Sequence, residues 1–352
     1  MIPKIGSFAR IRGAIERQGF LFLIRTPFIR DRLAASRSAP VDGRTLDPEI
    51  AATLQLADLT HRSDLRAPDA ATARERFAAD IPAANLPPPA VDHEDREIPS
   101  PAGPIDARLY VPPGIASPSA GIIYFHGGGW VTGNVATHDG LCRRLAYETR
   151  CRVVSIDYRL APEHPFPAAV EDAVTAARFV LAHAEDFGMD PGRIAVAGDS
   201  AGGNLSAVIA LETRRDARRP RLQVLIYPAL DLTCSTESYL TLAHRYLLTR
   251  SLVDWYLGHY LPGGDPRDPR ISPRLSAQLS DVPALIYTAG FDVLRDEAQI
   301  YADRLKAAGT RVTYREFPTL IHGFALMTAV SSALAAINAI ATDIRQELDS
   351  SE

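Results

Sequence analysis

The sequence predicts an α/β fold, a mostly parallel central sheet flanked by helices and carrying a helical cap. Three observations lead there. Short apolar runs of strand length recur at 121–125, 152–157, 194–197, 222–227, 284–288 and 312–317. Helical patterns separate most of them, which favours crossover connections and a sheet covered on both faces. The chain has 352 residues, of which 46% are hydrophobic, enough to bury a large core.

The elements follow in order. Residues 1–90 read as helical and irregular, with helices over 47–59 and 69–79, the second just after Pro68. Leu86-Pro87-Pro88-Pro89 then breaks the chain and reads as a linker. Strands at 95–98 and 105–110, split by a turn at 100–104, open the sheet antiparallel. Helices at 141–148, 168–183, 201–214, 296–308 and 325–348 alternate with the later strands. The interval 232–281 breaks this rhythm: it has no strand pattern but holds Tyr239, Tyr246, Trp255, Tyr256 and Tyr260. It reads as an insertion folded over the sheet edge against the N-terminal helices. The expected organisation is a cap from 1–90 and 232–281, and a core domain in two parts, 91–231 and 282–352.

Composition narrows the function. Charged residues make up 23% and the net charge is -4, with nothing that points to nucleic acid. The three cysteines, Cys142, Cys151 and Cys234, form no CxxC pair. They read as free thiols in a reducing, cytoplasmic setting rather than a disulfide framework or a zinc site. No apolar run approaches the roughly 18 residues of a spanning helix. The run Phe20–Ile24 meets Arg25 with no small-residue cleavage site behind it, so no signal peptide is expected. Residues 1–45 carry nine Lys/Arg against three acids, leaving the rest of the chain acidic. With Ile11, Ile15, Phe22 and Leu23 interleaved, this segment fits a helix lying on an anionic membrane surface. It also fits an amphipathic helix packed on the protein body, and that reading is favoured.

Gly198-Asp199-Ser200-Ala201-Gly202 matches G-x-S-x-G. Five residues of this kind are a weak signal alone. Here an apolar strand runs in and a helix runs out, the strand–turn–helix of a nucleophile elbow. Such a turn holds Ser in a strained conformation, so small residues must flank it, and Gly198 and Gly202 supply them. A serine hydroxyl needs a base, and the base needs an orienting acid. Behind an elbow the order along the chain is Ser, acid, His. Of nine histidines only His244, His259 and His322 follow Ser200. The first two lie in the insertion; His322 follows the last strand and precedes Gly323, so it is the expected base. Asp292 falls at the carboxyl end of the preceding strand, on the edge where ligand chemistry gathers. Asp296, one helical turn later, is the competing acid but is better placed to brace the next helix.

His126-Gly127-Gly128-Gly129-Trp130 follows the strand at 121–125. Successive glycines let backbone N–H groups approach a ligand closely, as a developing oxyanion requires. Gly128, Gly129 and Ala201 are the expected donors, with His126 bracing the loop. A phosphate cradle would need a following Lys and Ser/Thr or the G-x-G-x-x-G spacing, and neither is present. No metal or cofactor is expected.

Together these pieces resemble a known family. They are the HGGGW run at 126–130, Tyr158-Arg159-Leu160-Ala161-Pro162-Glu163, Phe166-Pro167-Ala168 and Gly198–Leu205. Asp292-Val293-Leu294-Arg295-Asp296-Glu297 and His322-Gly323-Phe324 complete the set. In this order they resemble the bacterial hormone-sensitive-lipase-like esterases (family IV carboxylesterases), with the α/β-hydrolase fold. The likeness covers about residues 95 to 345. Relatives carry Pro where this chain has Val293. The resemblance implies a helical cap, hydrolysis of short- to medium-chain acyl esters without a cofactor, structural roles for Tyr158 and Glu163, and homodimers. It says little about the first 45 residues.

The expected chemistry is acyl transfer: Ser200 attacks while His322 takes its proton and Asp292 orients the imidazole. Activity should rise as His322 loses its proton. Two other readings share the fold, an amidase or peptidase on the same triad and a non-catalytic small-molecule receptor. Cap aromatics Tyr246, Trp255 and Tyr256 suit either a substrate pocket or cap core.

Overall fold

The computed structural model of the chain describes residues 7–60 and 65–350, with side chains from residue 16 onward in the first helix. Lys4 of the basic segment lies outside the described residues, as do the side chains of Arg10, Ile11, Arg12 and Ile15. Among the described residues, no helix is long and apolar enough to cross a membrane.

Eight strands form one sheet: β1 (Asp92–Ile98), β2 (Ile105–Val111), β3 (Ser119–Phe125), β4 (Arg152–Ile156), β5 (Met189–Asp199), β6 (Leu222–Ile226), β7 (Ala284–Phe291) and β8 (Val312–Ile321). Their spatial order is β1-β2-β4-β3-β5-β6-β7-β8. The β1–β2 and β2–β4 pairs are antiparallel. The remaining pairs are parallel. β3, β6 and β7 are buried along their whole length. That is why they read as unbroken apolar runs and not as alternating ones.

The outer strands differ from the sequence expectation. β1 starts at Asp92 and not at 95, because six of its seven residues are exposed and polar, leaving no apolar alternation. β8 extends to Ile321, past the expected 317 and through Pro318. It pairs only with β7, so the missing proline N–H costs the ladder nothing essential at this edge.

Helices α1 (Ser7–Arg25), α2 (Pro27–Ala34), α3 (Pro48–Leu59) and α4 (Ala70–Ala84) precede the sheet. Asp47 caps α3 by accepting the N–H groups of Glu49 and Ile50, with Pro48 at the first helical position. α4 outlasts the expected 79 and takes Pro82 into its last turn, where Asn85 Nδ2 donates to the Ile81 and Leu326 carbonyls. α5 (Asp139–Thr149), α6 (Ala168–Ala182) and α7 (Ala201–Glu212) join the parallel strands. The interval after β6 holds α8 (Ser238–Thr241) and α9 (Arg250–Tyr260), and α10 (Arg295–Ala307) follows β7.

The last helix, α11, begins at Ser331 and not at 325. Residues 324–326 form a single 3₁₀ turn. Thr328 is then held to the end of α4: its N–H and hydroxyl donate to Asn85 Oδ1, and its hydroxyl accepts the Leu86 N–H. These bonds draw the segment out of helical conformation. All three cysteines are free and buried, and burial pushes the Cys151 and Cys234 thiols up to about 11.

The register sets where chemistry can occur. Phe125 pairs with Gly198, Asp199 with Ile226, and Phe291 with Ile321. The carboxyl ends of β3, β5, β7 and β8 therefore share one edge, the usual seat of ligand chemistry in open α/β sheets.

Candidate active site

β5 delivers Ser200 to this edge. Its backbone stands at φ 55°, ψ −115°, before α7 begins at Ala201. A non-glycine residue in that region is strained and must be held by its surroundings. The Ser200 N–H donates to the Ile226 carbonyl at 2.9 Å, and its own carbonyl accepts the Asn204 N–H at 3.0 Å. Space allows the turn only with small neighbours: a Cβ at Gly202 would run into the Phe125 carbonyl oxygen.

The structure brings Ser200, His322 and Asp292 together. Ser200 Oγ lies 2.9 Å from His322 Nε2, and His322 Nδ1 lies 2.7 Å from Asp292 Oδ2. An ionised carboxylate only accepts, so Nδ1 carries the proton and Nε2 is free to accept from Ser200. Asp292 is 1% exposed, and its other oxygen accepts the Leu294 N–H at 3.0 Å. The Tyr227 ring packs against the imidazole, centroids 4.7 Å apart. Asp296 is engaged elsewhere: it accepts the Ser238 N–H at 2.8 Å and pairs with Arg295. His244 and His259 lie in the α8–α9 interval, where the His259 ring packs edge-on against Trp255.

Gly128 and Gly129, at φ +118° and +60°, border the same cavity as Ser200 and His322. The Tyr256 ring of α9 covers Gly129 so closely that a Cβ there would meet the ring carbons. Ala201 opens α7, where free N–H groups point forward. His126 braces this loop from behind. Its Nδ1 donates to the Gly127 carbonyl at 2.8 Å, the Tyr158 hydroxyl donates to its carbonyl at 2.7 Å, and the two rings stack. Burial, with His138 beside it, pulls the His126 imidazole down to about 3, so it stays neutral.

Asp199 joins the two halves of the site. Its Oδ1 accepts the Gly127 N–H at 2.9 Å and the Tyr124 hydroxyl at 2.7 Å, and His138 Nε2 lies 3.4 Å away. Burial raises its pKa, but His138, Tyr124 and Gly127 outweigh that and hold the carboxyl below its usual range. Arg74 of α4 ties the cap side to the same loop. It donates to the Val131 and Ala161 carbonyls and grips Glu163 with both terminal nitrogens. The bridging by Asp199, the packing of Tyr227 and the clamp by Arg74 were not foreseen from sequence. Arg74 gives no signal there, since a lone Arg in a polar helix is ordinary.

A cavity of about 610 Å³ stands over Ser200. Its walls are mostly apolar: Phe20 and Leu23 from α1, Leu56 from α3, Phe77 and Ile81 from α4, and Leu252 from α9. Tyr256 lines it as well, whereas Trp255 and Tyr246 do not. Trp255 packs edge-on against Tyr256, and Tyr246 packs at a tilt against Phe291. Among the described residues, no group of three His, Cys, Asp or Glu side chains is arranged to hold a metal ion.

Comparison with known proteins places the fold in a family. The profile of a family described as the alpha/beta hydrolase fold matches residues 122–326. The carboxylic ester hydrolase LipN of Mycobacterium tuberculosis is 45% identical over 329 residues, spanning 90% of this chain and 86% of that protein. The carboxylesterase NlhH of the same organism is 43% identical over 238 residues, 66% of this chain and 74% of its own. A crystallised ester-hydrolase from the metagenome of Lake Arreo superposes with a TM-score of 0.83 at 40% identity, covering 87% of this chain and all of its own (100%). An esterase of Pyrobaculum calidifontis gives 0.78 at 41% identity, covering 86% and 98%. The chain belongs to the α/β-hydrolase family, in its hormone-sensitive-lipase-like branch.

Proposed function

We propose that the chain is a serine carboxylesterase that hydrolyses short- to medium-chain carboxylic esters through an acyl-enzyme. One observation carries this reading: the hydrogen-bonded line Asp292–His322–Ser200 ends in an apolar cavity of about 610 Å³. Ser200 Oγ attacks the ester carbonyl while His322 Nε2 takes its proton. Asp292 keeps the proton on Nδ1 and stabilises the imidazolium. The N–H groups of Gly128, Gly129 and Ala201 receive the oxyanion, a contribution worth about 100- to 1000-fold per donor in comparable sites. His322 then protonates the leaving alcohol, and water repeats the sequence on the acyl-enzyme. No step requires a cofactor.

Residues 1–90 and 232–281 act in this reading as a cap over a catalytic domain formed by 91–231 and 282–352. The cap supplies most of the apolar wall and excludes water from the acyl group. The buried free thiols support a cytoplasmic location. The family resemblance supports a homodimer, which sedimentation would check.

Turnover of p-nitrophenyl esters of increasing chain length, beside matching anilides, tests the assignment. The esterase reading expects rapid ester hydrolysis that declines for long chains. Anilide turnover faster than ester turnover would assign an amidase instead, and binding without turnover would assign a receptor.

A further inference from the structure

The mouth of the cavity over Ser200 is marked by residues that both line it and reach solvent. Gly19 of α1 and Thr60, just after α3, are two of them. Each sits beside an exposed large apolar side chain in the same relation. On α1, Gly19 and Leu23 line the cavity and Phe22 lies between them, three residues after one and one before the other. On α3, Leu56 and Thr60 line it and Leu59 repeats that spacing. At 3.6 residues per turn, such a residue stands beside the lining stripe, on its rim. Phe22 and Leu59 are each 63% exposed. Phe28, on α2 between these helices, is 78% exposed.

Arginines stand beside this rim. Arg32 is exposed on α2, and the half-buried Arg17 lies two turns before the exposed Arg25 on α1, whose Nη2 donates to the Ala329 carbonyl at 2.9 Å. Asp31 pairs with Arg30 at 2.8 Å and Asp58 with Arg37 at 2.5 Å, and Glu16 and Asp80, which line the cavity, are engaged as well. Residues 1–45 carry an excess of cations in an otherwise acidic chain. Exposed aromatic and aliphatic side chains interleaved with arginines are the composition of helices that lie in a lipid interface. An acidic protein or a nucleic acid would be met by the cations alone, and would leave the apolar rim unexplained.

We propose that the α1–α3 corner docks on an anionic lipid surface. Phe22, Phe28 and Leu59 enter the headgroup layer, and Arg17 and Arg32 meet the lipid phosphates. The cavity then opens directly onto acyl esters held in that interface. The purpose of the docking rests on the esterase reading, but the docking itself does not.

Flotation of the full chain with vesicles tests this. Vesicles of phosphatidylglycerol and phosphatidylcholine are compared with vesicles of phosphatidylcholine alone. Binding at least about tenfold tighter to the anionic vesicles, weakened by added salt, is expected. The F22S/F28S/L59S variant should lose about tenfold or more of that binding, with unchanged hydrolysis of dissolved p-nitrophenyl acetate. R17Q/R32Q should lose roughly fivefold per cation removed. Ser200→Ala should bind vesicles like the unaltered chain, which separates docking from catalysis. The proposal is overturned if the chain stays off anionic vesicles, if the apolar triple variant binds them equally well, or if soluble heparin binds as tightly as the vesicles do.

Discussion

Asp199 accepts the Gly127 N–H at 2.9 Å, so one buried carboxylate joins the turn that presents Ser200 to the loop that carries the proposed oxyanion donors. The two halves of the site come from different strands, β3 and β5, and must hold a fixed separation for attack and charge stabilisation to coincide.

Removing that carboxylate should cost both stability and rate. Asp199→Ala leaves the Gly127 N–H and the Tyr124 hydroxyl buried without this partner, at about 1–3 kcal/mol each. The expected outcome is a lower melting temperature and a fall in kcat larger than any rise in KM. Asp199→Asn keeps an acceptor and should retain more of both. The pH dependence has a defined sign. The folded carboxyl lies below its usual range because His138, Tyr124 and Gly127 outweigh burial. Its contribution is therefore fully present above the unfolded value of about 3.9 and lost as pH falls through the folded one. Melting curves of the unaltered chain and Asp199→Asn should stay a constant distance apart from pH 7 to about 5, then converge in acid.

Asp157 should behave in the opposite way. Burial lifts its carboxyl to about 6, against one compensating hydrogen bond from the Val135 N–H at 3.2 Å. The folded state thus holds this proton more tightly than the unfolded one. Stability from this group is present in acid and is lost as pH rises through about 6. Asp157→Asn, which keeps the acceptor, should melt higher than the unaltered chain at pH 7.5, and the gap should close toward pH 4. A variant less stable at pH 7.5 would contradict this account of Asp157.

At the elbow the constraint is steric. Gly202→Ala places a methyl group against the Phe125 carbonyl, at the strand end that also carries the HGGGW loop. Relaxing that clash means moving β3 or α7. The variant should be inactive and recovered mainly unfolded, as circular dichroism and an esterase assay would show.

Tyr256 of α9 covers Gly129 in the proposed oxyanion loop. Tyr256→Ala should lower kcat/KM by about tenfold or more, since a donor displaced by even a fraction of an ångström loses much of its value. Tyr256→Phe keeps the ring and should retain most activity. Equal losses in both variants would shift the explanation from the ring to its hydroxyl.

The central strands were legible in the sequence because burial on both faces makes them apolar throughout, as in β3 and β7. The polar start of β1 and the run of β8 through Pro318 were not, because edge strands carry little of that signal. The early end expected for α4 and the early start expected for α11 share one cause: tertiary bonds around Asn85 and Thr328 override local propensity. Ser200, His322 and Asp292 could be named from motif, chain order and strand ends. Arg74 and Tyr227 could not, because they act through contacts between segments far apart in sequence. Of three cap aromatics with equal claims in the sequence, only the fold separates Tyr256, in the cavity wall, from Trp255 and Tyr246 behind it.

Ser200, poised 2.9 Å from His322 Nε2, is the proposed nucleophile. Labelling with a fluorophosphonate, followed by peptide mass mapping, tests it most directly. The expected result is one adduct per chain, on Ser200, with complete loss of esterase activity and no labelling of Ser200→Ala. Labelling at another residue, or full activity retained in Ser200→Ala, would contradict the account.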